Sequence, residues 1–128
     1  MDLTSLQFAP THEWVRLDGD TATVGISKFA ADQLSDLIML ELPPVGTRLT
    51  PGKSFGVIES VKSVSDLYAP VAGEVVEVND EAAQNLELLS SDPYGKGWLI
   101  KVKVDGPEAA SDLLDLAAYE KQIADEGH

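Results

Sequence analysis

A chain of 128 residues with 44% apolar and 24% charged residues, 10 glycines and 7 prolines has an ordinary globular composition of one-domain size, which excludes a disordered or fibrous protein. Nine lysines and arginines against 22 aspartates and glutamates give a net charge of −13, a field that repels phosphate backbones and anionic lipid, so neither nucleic acid nor membrane is expected as a partner. The absence of cysteine removes disulfides, thiolate metal sites and a cysteine nucleophile together.

Residues Met1 to Phe8 lack the basic start and apolar run of a signal peptide, and no apolar run reaches the roughly 20 residues that span a bilayer, so a cytoplasmic location is expected. Glu13–Leu17 and Thr21–Ile26 flank the turn-forming Asp18-Gly19-Asp20 and read as a hairpin. Ser27 is placed to cap a short helix over Lys28–Leu37, with Phe29, Ala30, Leu34 and Leu37 on one apolar stripe. Ile38–Leu42 reads as a strand stopped by Pro43-Pro44, because proline has no N–H for a ladder. Val45–Thr50, Ser54–Ser60, Ser65–Tyr68 and Gly73–Asn79 follow as strands, with Pro70 and Gly73 read as turn geometry. Strands at such regular intervals suit a sandwich or barrel.

Ser90–Gly97 is dense in turn formers, and Trp98–Val104 alternates in the manner of a half-buried strand. After Gly106, Pro107 suits the first turn of a helix on which Leu113, Leu114, Leu116, Ala117 and Tyr119 recur at helical spacing. The acids of this tail read as a solvated helix face. Trp14, Trp98 and Tyr94 are expected to pack in the interior, as aromatic side chains mostly do.

Little chemistry is available to such a chain. His12 and the terminal His128 are its two imidazoles, so no metal site and no histidine-based triad is expected. Neither a G-x-S-x-G elbow nor a glycine-rich phosphate cradle occurs. The segment Glu59–Asp66, ESVKSVSD, places Lys62 between two strand-like runs, with an acid three residues before it and another four after. Pattern alone is served by a solvated turn lysine. An exposed tip also suits an attachment point read by another protein, and is the opposite of the buried setting that a catalytic amine needs.

Glu59-Ser60-Val61-Lys62 with Asp66, followed by Ala69-Pro70 and Gly73, resembles a lipoyl-carrying domain. Thr11-His12-Glu13-Trp14-Val15, Val24-Gly25-Ile26, Glu41-Leu42-Pro43 and Ser91-Asp92-Pro93-Tyr94-Gly95 with Gly97-Trp98 extend the resemblance to one family, the H protein of the glycine cleavage system, over about Phe8 to Glu126. The chain departs from that family's usual residues at Ser35, Pro44, Ser63 and Ser90, none of which is Lys62, Glu59 or Asp66.

The resemblance implies a mainly β fold, a flattened barrel-sandwich hybrid of the lipoyl and biotinyl type with a short inserted helix and a helical C-terminus. It implies one carrier domain over residues 1–128, with a lipoyl-like core at about 45–104 and a helical segment at about 107–126. Lys62 would carry lipoic acid in amide linkage, with no catalytic residue in the chain itself. Glu59 and Asp66 would be read by the lipoate-attaching enzyme, and Glu13 and Asp66 would line a cleft that receives the aminomethyl arm.

The implied partners are a pyridoxal-phosphate glycine decarboxylase, a tetrahydrofolate-dependent aminomethyltransferase and dihydrolipoyl dehydrogenase, each visited transiently by a monomer. The competing classes are a lipoate relay that donates its cofactor to other lipoyl domains, and a biotin or acyl carrier. Against the latter stand Val61 and Ser63, where biotin carriers usually place methionines.

Overall fold

The computed structural model describes residues 6–9, 11–34, 36–104 and 113–126. A short strand β1 (Gln7–Phe8) leads into the expected hairpin of β2 (Glu13–Asp18) and β3 (Thr21–Ile26), which pair from Glu13 opposite Ile26 to Asp18 opposite Thr21. Gly19 closes it at φ 66°, a left-handed backbone that carries no steric cost for glycine. Ser27 caps α1 (Lys28–Leu34), its Oγ accepting from the Ala30 N–H at 3.2 Å. The helix stops short of the expected Leu37. Asp36 lies at φ 50°, outside the right-handed helical region, and Leu37 opens the next strand.

That strand, β4 (Leu37–Glu41), is followed by Pro43-Pro44 as expected. Of the run 45–50, only β5 (Arg48–Leu49) is a strand, because Val45 and Gly46 form a turn with Gly46 at φ 97°. β6 (Ser54–Ser60) and β7 (Val64–Tyr68) make the hairpin around Lys62, and β8 (Gly73–Val78) follows. Gly73 is a strand residue rather than a turn residue. A Cβ there would lie 2.2 Å from the carbonyl oxygen of Lys103, so the position serves close approach of two backbones.

Two helices not expected from the sequence, α2 (Asp80–Gln84) and α3 (Glu87–Ser91), come next. Asn79 starts the first by accepting the Ala82 N–H at 3.3 Å, while its amide donates to the carbonyls of Lys96 and Trp98. β9 (Ile100–Val104) begins two residues after the expected Trp98. The C-terminal helix α4 (Leu116–Glu126) excludes Leu113 and Leu114, which were expected on it. Leu114 instead exchanges two backbone hydrogen bonds of 2.7 Å with Phe8, and Asp115 then accepts the Ala118 N–H as a cap. The expected helix start at Pro107 lies outside the described residues.

The strands form two antiparallel sheets, one of six in the order β1-β2-β3-β9-β8-β5 and one of three in the order β4-β6-β7. They do not close into one barrel, and with the inserted and terminal helices they give the mainly β, flattened barrel-sandwich that was expected. The main core takes Val15, Val24 and Val102 from the larger sheet and Leu40, Ile58 and Leu67 from the smaller. Burying each such side chain stabilises the fold by about 1.5–3 kcal/mol. Leu6, Phe8, Trp14 and Tyr119 make a second cluster, with Tyr94 and Trp98 packed against it, so the three aromatic residues singled out in the sequence are packing residues. Alternation along β2 therefore sends Trp14 to one side of the sheet, and Val15 and Glu13 to the other.

Candidate functional site

Lys62 sits at the tip of the β6–β7 hairpin. Ser60 is buried and ties the tip together, its N–H donating to the Ser63 carbonyl at 2.8 Å and its Oγ accepting the Ser63 N–H at 3.2 Å. The Val61 N–H donates to the Asp36 carbonyl at 3.1 Å, which fastens the tip to the start of β4. These bonds hold the backbone and leave the Lys62 side chain exposed, with no hydrogen-bond or ion-pair partner among the described residues.

Register fixes the acids on either side of it. Val57 pairs with Asp66 and Glu59 with Val64, so Glu59 and Asp66 share one face of the hairpin, opposite the buried Ile58 and Leu67. The Asp66 carboxylate accepts from Ser54 Oγ at 3.4 Å. Glu59 is half-buried between Met39 and Val64, its neighbours across the two strand pairs. The two residues expected to be read by an attaching enzyme are thus on one surface.

Glu13 differs from both. It is 1% exposed, although nothing in the spelling EWVRL marks the carboxylate as interior. Its oxygens are held by Thr11 Oγ1, which donates to Oε1, and by the Tyr68 N–H, which donates to Oε2 at 3.2 Å. Burial pushes its pKa from 4.5 up to about 7, and the two donated hydrogen bonds oppose that rise without cancelling it. Glu13 and Asp66 line one cleft of about 130 Å³ together with Thr11, His12, Ile58 and Leu67. A strand rises about 3.4 Å per residue, so Asp66 lies about 7 Å along β7 from Val64, where the strand leaves the Lys62 tip.

The part played by His12 was not legible in the sequence. Its backbone is left-handed, at φ 82°, and its Nδ1 lies 2.8 Å from the Tyr119 hydroxyl, which in turn lies 2.6 Å from Ser27 Oγ. Tyr119 stacks on Phe8 with ring centroids 4.5 Å apart. The turn that aims Thr11 and Glu13 into the cleft is therefore held by a side chain of α4, and a contact across 107 residues leaves no signal in local spacing.

Two antiparallel sheets that project a lone lysine at a hairpin tip, beside a cleft with a buried carboxylate, define a carrier-type sandwich of the lipoyl and biotinyl class. The profile of the family described as glycine cleavage H-protein matches residues 6–126. The chain is 52% identical over 118 residues to a probable glycine cleavage system H protein of Haloarcula marismortui, a match that covers 92% of this chain and 93% of that one. It is 52% identical over 122 residues to the glycine cleavage system H protein of Microcystis aeruginosa, covering 94% and 93% of the two chains. A crystal structure of a glycine cleavage system H protein from Mycobacterium marinum superposes with a TM-score of 0.88 at 37% identity, over 94% of this chain and 98% of the other. The chain belongs to the glycine cleavage H-protein family.

Proposed function

We propose that the whole chain is one lipoyl-carrier domain of glycine cleavage, with lipoic acid attached in amide linkage to Lys62 and no catalytic residue of its own. The observation that carries this reading is an exposed amine at a hairpin tip, without a hydrogen-bond or ion-pair partner among the described residues, on the same hairpin that lends Ile58, Asp66 and Leu67 to a cleft holding the Glu13 carboxylate. The residues present fit the group: Lys62 is free to be acylated, and the wall of Ile58 and Leu67 offers apolar contact beside the polar floor of Thr11 and Glu13. A lipoyl group on Lys62 would supply a redox-active disulfide to carry an aminomethyl group, and the partners of that reading are a pyridoxal-phosphate glycine decarboxylase, a tetrahydrofolate-dependent aminomethyltransferase and dihydrolipoyl dehydrogenase.

The chain contributes tether, orientation and shelter. The Ser60–Ser63 bonds hold the tip rigid, so the arm swings from a fixed point. In this reading Glu13, with Asp66 at the edge of the cleft, pairs with a cationic amine brought in on the arm, an interaction that the low dielectric around Glu13 would strengthen. The reading includes a cytoplasmic location and a monomer. Among the described residues, no helix is long and apolar enough to cross a membrane.

Intact mass with peptide mapping, after incubation with lipoate, ATP and a lipoate ligase, tests the attachment. One lipoyl increment confined to Lys62 is expected. No increment on folded protein, with the ligase active on another acceptor, overturns the reading. Glycine-dependent exchange of carbon dioxide with the decarboxylase then separates a shuttle from a relay, which would instead pass lipoyl groups to other domains. Glu59→Ala is expected to slow attachment about tenfold while leaving the thermal midpoint within about 2 °C, because the side chain makes no described hydrogen bond and faces outward.

A further inference from the structure

Seven lysines occur in the chain, and an enzyme that acylates one of them must tell it from six others. Single exposed apolar side chains are ordinary, whereas contiguous ones mark interaction surfaces. Four of them gather here: Ile38 is 55% exposed, Met39 40%, Val61 69% and Val64 63%. Backbone pairing brings them together. The Val61 N–H binds the Asp36 carbonyl, Leu37 pairs with Ser60, Met39 pairs with Glu59, and Glu59 pairs with Val64. Met39, Glu59 and Val64 thus form a row across the three-stranded sheet, on the face opposite the core and directly below the Lys62 tip. No other described lysine has an exposed large apolar residue within two positions of it in the chain.

We propose that the collar of Ile38, Met39, Val61 and Val64 around Glu59 is the docking surface for the enzyme that forms the amide on Lys62. This rests on Lys62 being the acylated lysine. Reach decides which partner the collar fits. Enzymes that act on the far end of a long arm can dock at a distance from its root. An enzyme that joins an acyl group to the amine itself must bring its reacting carbon within one lysine side chain of the tip backbone, so its walls press on whatever surrounds that tip. What surrounds it is apolar with one carboxylate. The partner surface that matches is an apolar lip carrying a basic group opposite Glu59, where exclusion of water by Met39 and Val64 strengthens the charge pair. The remaining acids of a chain with net charge −13 steer the same basic partner from farther away.

The test is steady-state lipoylation of the full chain by a lipoate ligase with lipoate and ATP, read by intact mass, for wild type, Met39→Ser/Val64→Ser and Leu17→Ser/Val45→Ser. The last pair is also exposed but belongs to other elements. The collar variant is expected to lose at least about tenfold in kcat/KM through a higher KM, with kcat at saturation and the thermal midpoint unchanged, while the control variant stays within twofold of wild type. Wild-type kcat/KM in the collar variant overturns the proposal and leaves the carrier reading intact. The proposal is equally overturned if attachment is unaffected and decarboxylase exchange of the loaded variant falls instead, since the surface then serves the decarboxylase. No increment on wild type overturns the carrier reading, and the collar proposal with it.

Discussion

Lys62→Arg is expected to give a folded protein that takes up no lipoyl group and supports no glycine-dependent exchange above background, a loss of at least about a thousandfold, because guanidinium stays protonated and is no nucleophile. Arginine keeps the positive charge and the length of the side chain, so the substitution separates charge from acylability. The fold should not register the change. Lys62 makes no contact that the hairpin needs, and the tip is closed by backbone bonds between Ser60 and Ser63 and from Val61 to Asp36. A thermal midpoint within about 2 °C of wild type, with a null intact-mass shift after ligase treatment, is the expected pair of readings. Lipoylation of the arginine variant at another lysine would show that the tip is not the tether.

Glu13→Gln is expected to stabilise the protein at pH 8 and to remove a pH dependence that wild type shows below neutrality. The carboxyl ionises near 4.5 when unfolded and at about 7 in the folded chain. Below pH 4.5 both states hold the proton and stability is full. Between pH 4.5 and 7 the unfolded chain releases a proton that the folded chain retains, so stability falls as pH rises, and above 7 the penalty is constant. The difference corresponds to about 3 kcal/mol. Glutamine keeps the shape, with its Oε1 accepting the Tyr68 N–H and its Nε2 donating to Thr11 Oγ1, so most of that penalty should be recovered, about 2 kcal/mol or roughly 8 °C in midpoint at pH 8, with no gain near pH 4.5.

A cost of this size at a cleft residue has a use in the carrier reading. A cationic amine entering beside Glu13 favours its ionised form, so loading should release a proton near pH 7. With both cleft acids neutralised, as in Glu13→Gln/Asp66→Asn, the aminomethyl-loaded protein should release formaldehyde several-fold faster than wild type; an unchanged rate would deny these acids a sheltering role.

Much of this architecture is written in local sequence. Asp18-Gly19-Asp20 announces the first hairpin, Ser27 the helix cap, and Ser54–Ser60 a strand with the same bounds that the structure shows. Lys62 stands out because a charged residue between two apolar strands has to lie at a tip. What escaped has physical causes. α2 and α3 are five residues each, too short for an apolar period to repeat, and α2 is begun by an asparagine bonded to a loop 17 and 19 residues away. Leu113 and Leu114 show helical spacing, yet Leu114 is claimed by Phe8 at the other end of the chain. Glu13 shares the side of β2 that carries Val15, but a carboxylate at the end of a strand reads as solvated, and it is the second sheet, through Ile58, Leu67 and the Tyr68 N–H, that makes it interior.

The Tyr119 hydroxyl, set between His12 Nδ1 and Ser27 Oγ, joins the first hairpin to the last helix. A contact of such long sequence separation forms against the entropy of closing the intervening chain. The turn that carries Thr11 and Glu13 into the cleft accordingly depends on the docking of α4, whereas the Lys62 tip is closed by bonds between Ser60 and Ser63. Fraying of α4 would therefore loosen that side of the cleft while leaving the Lys62 tip in place.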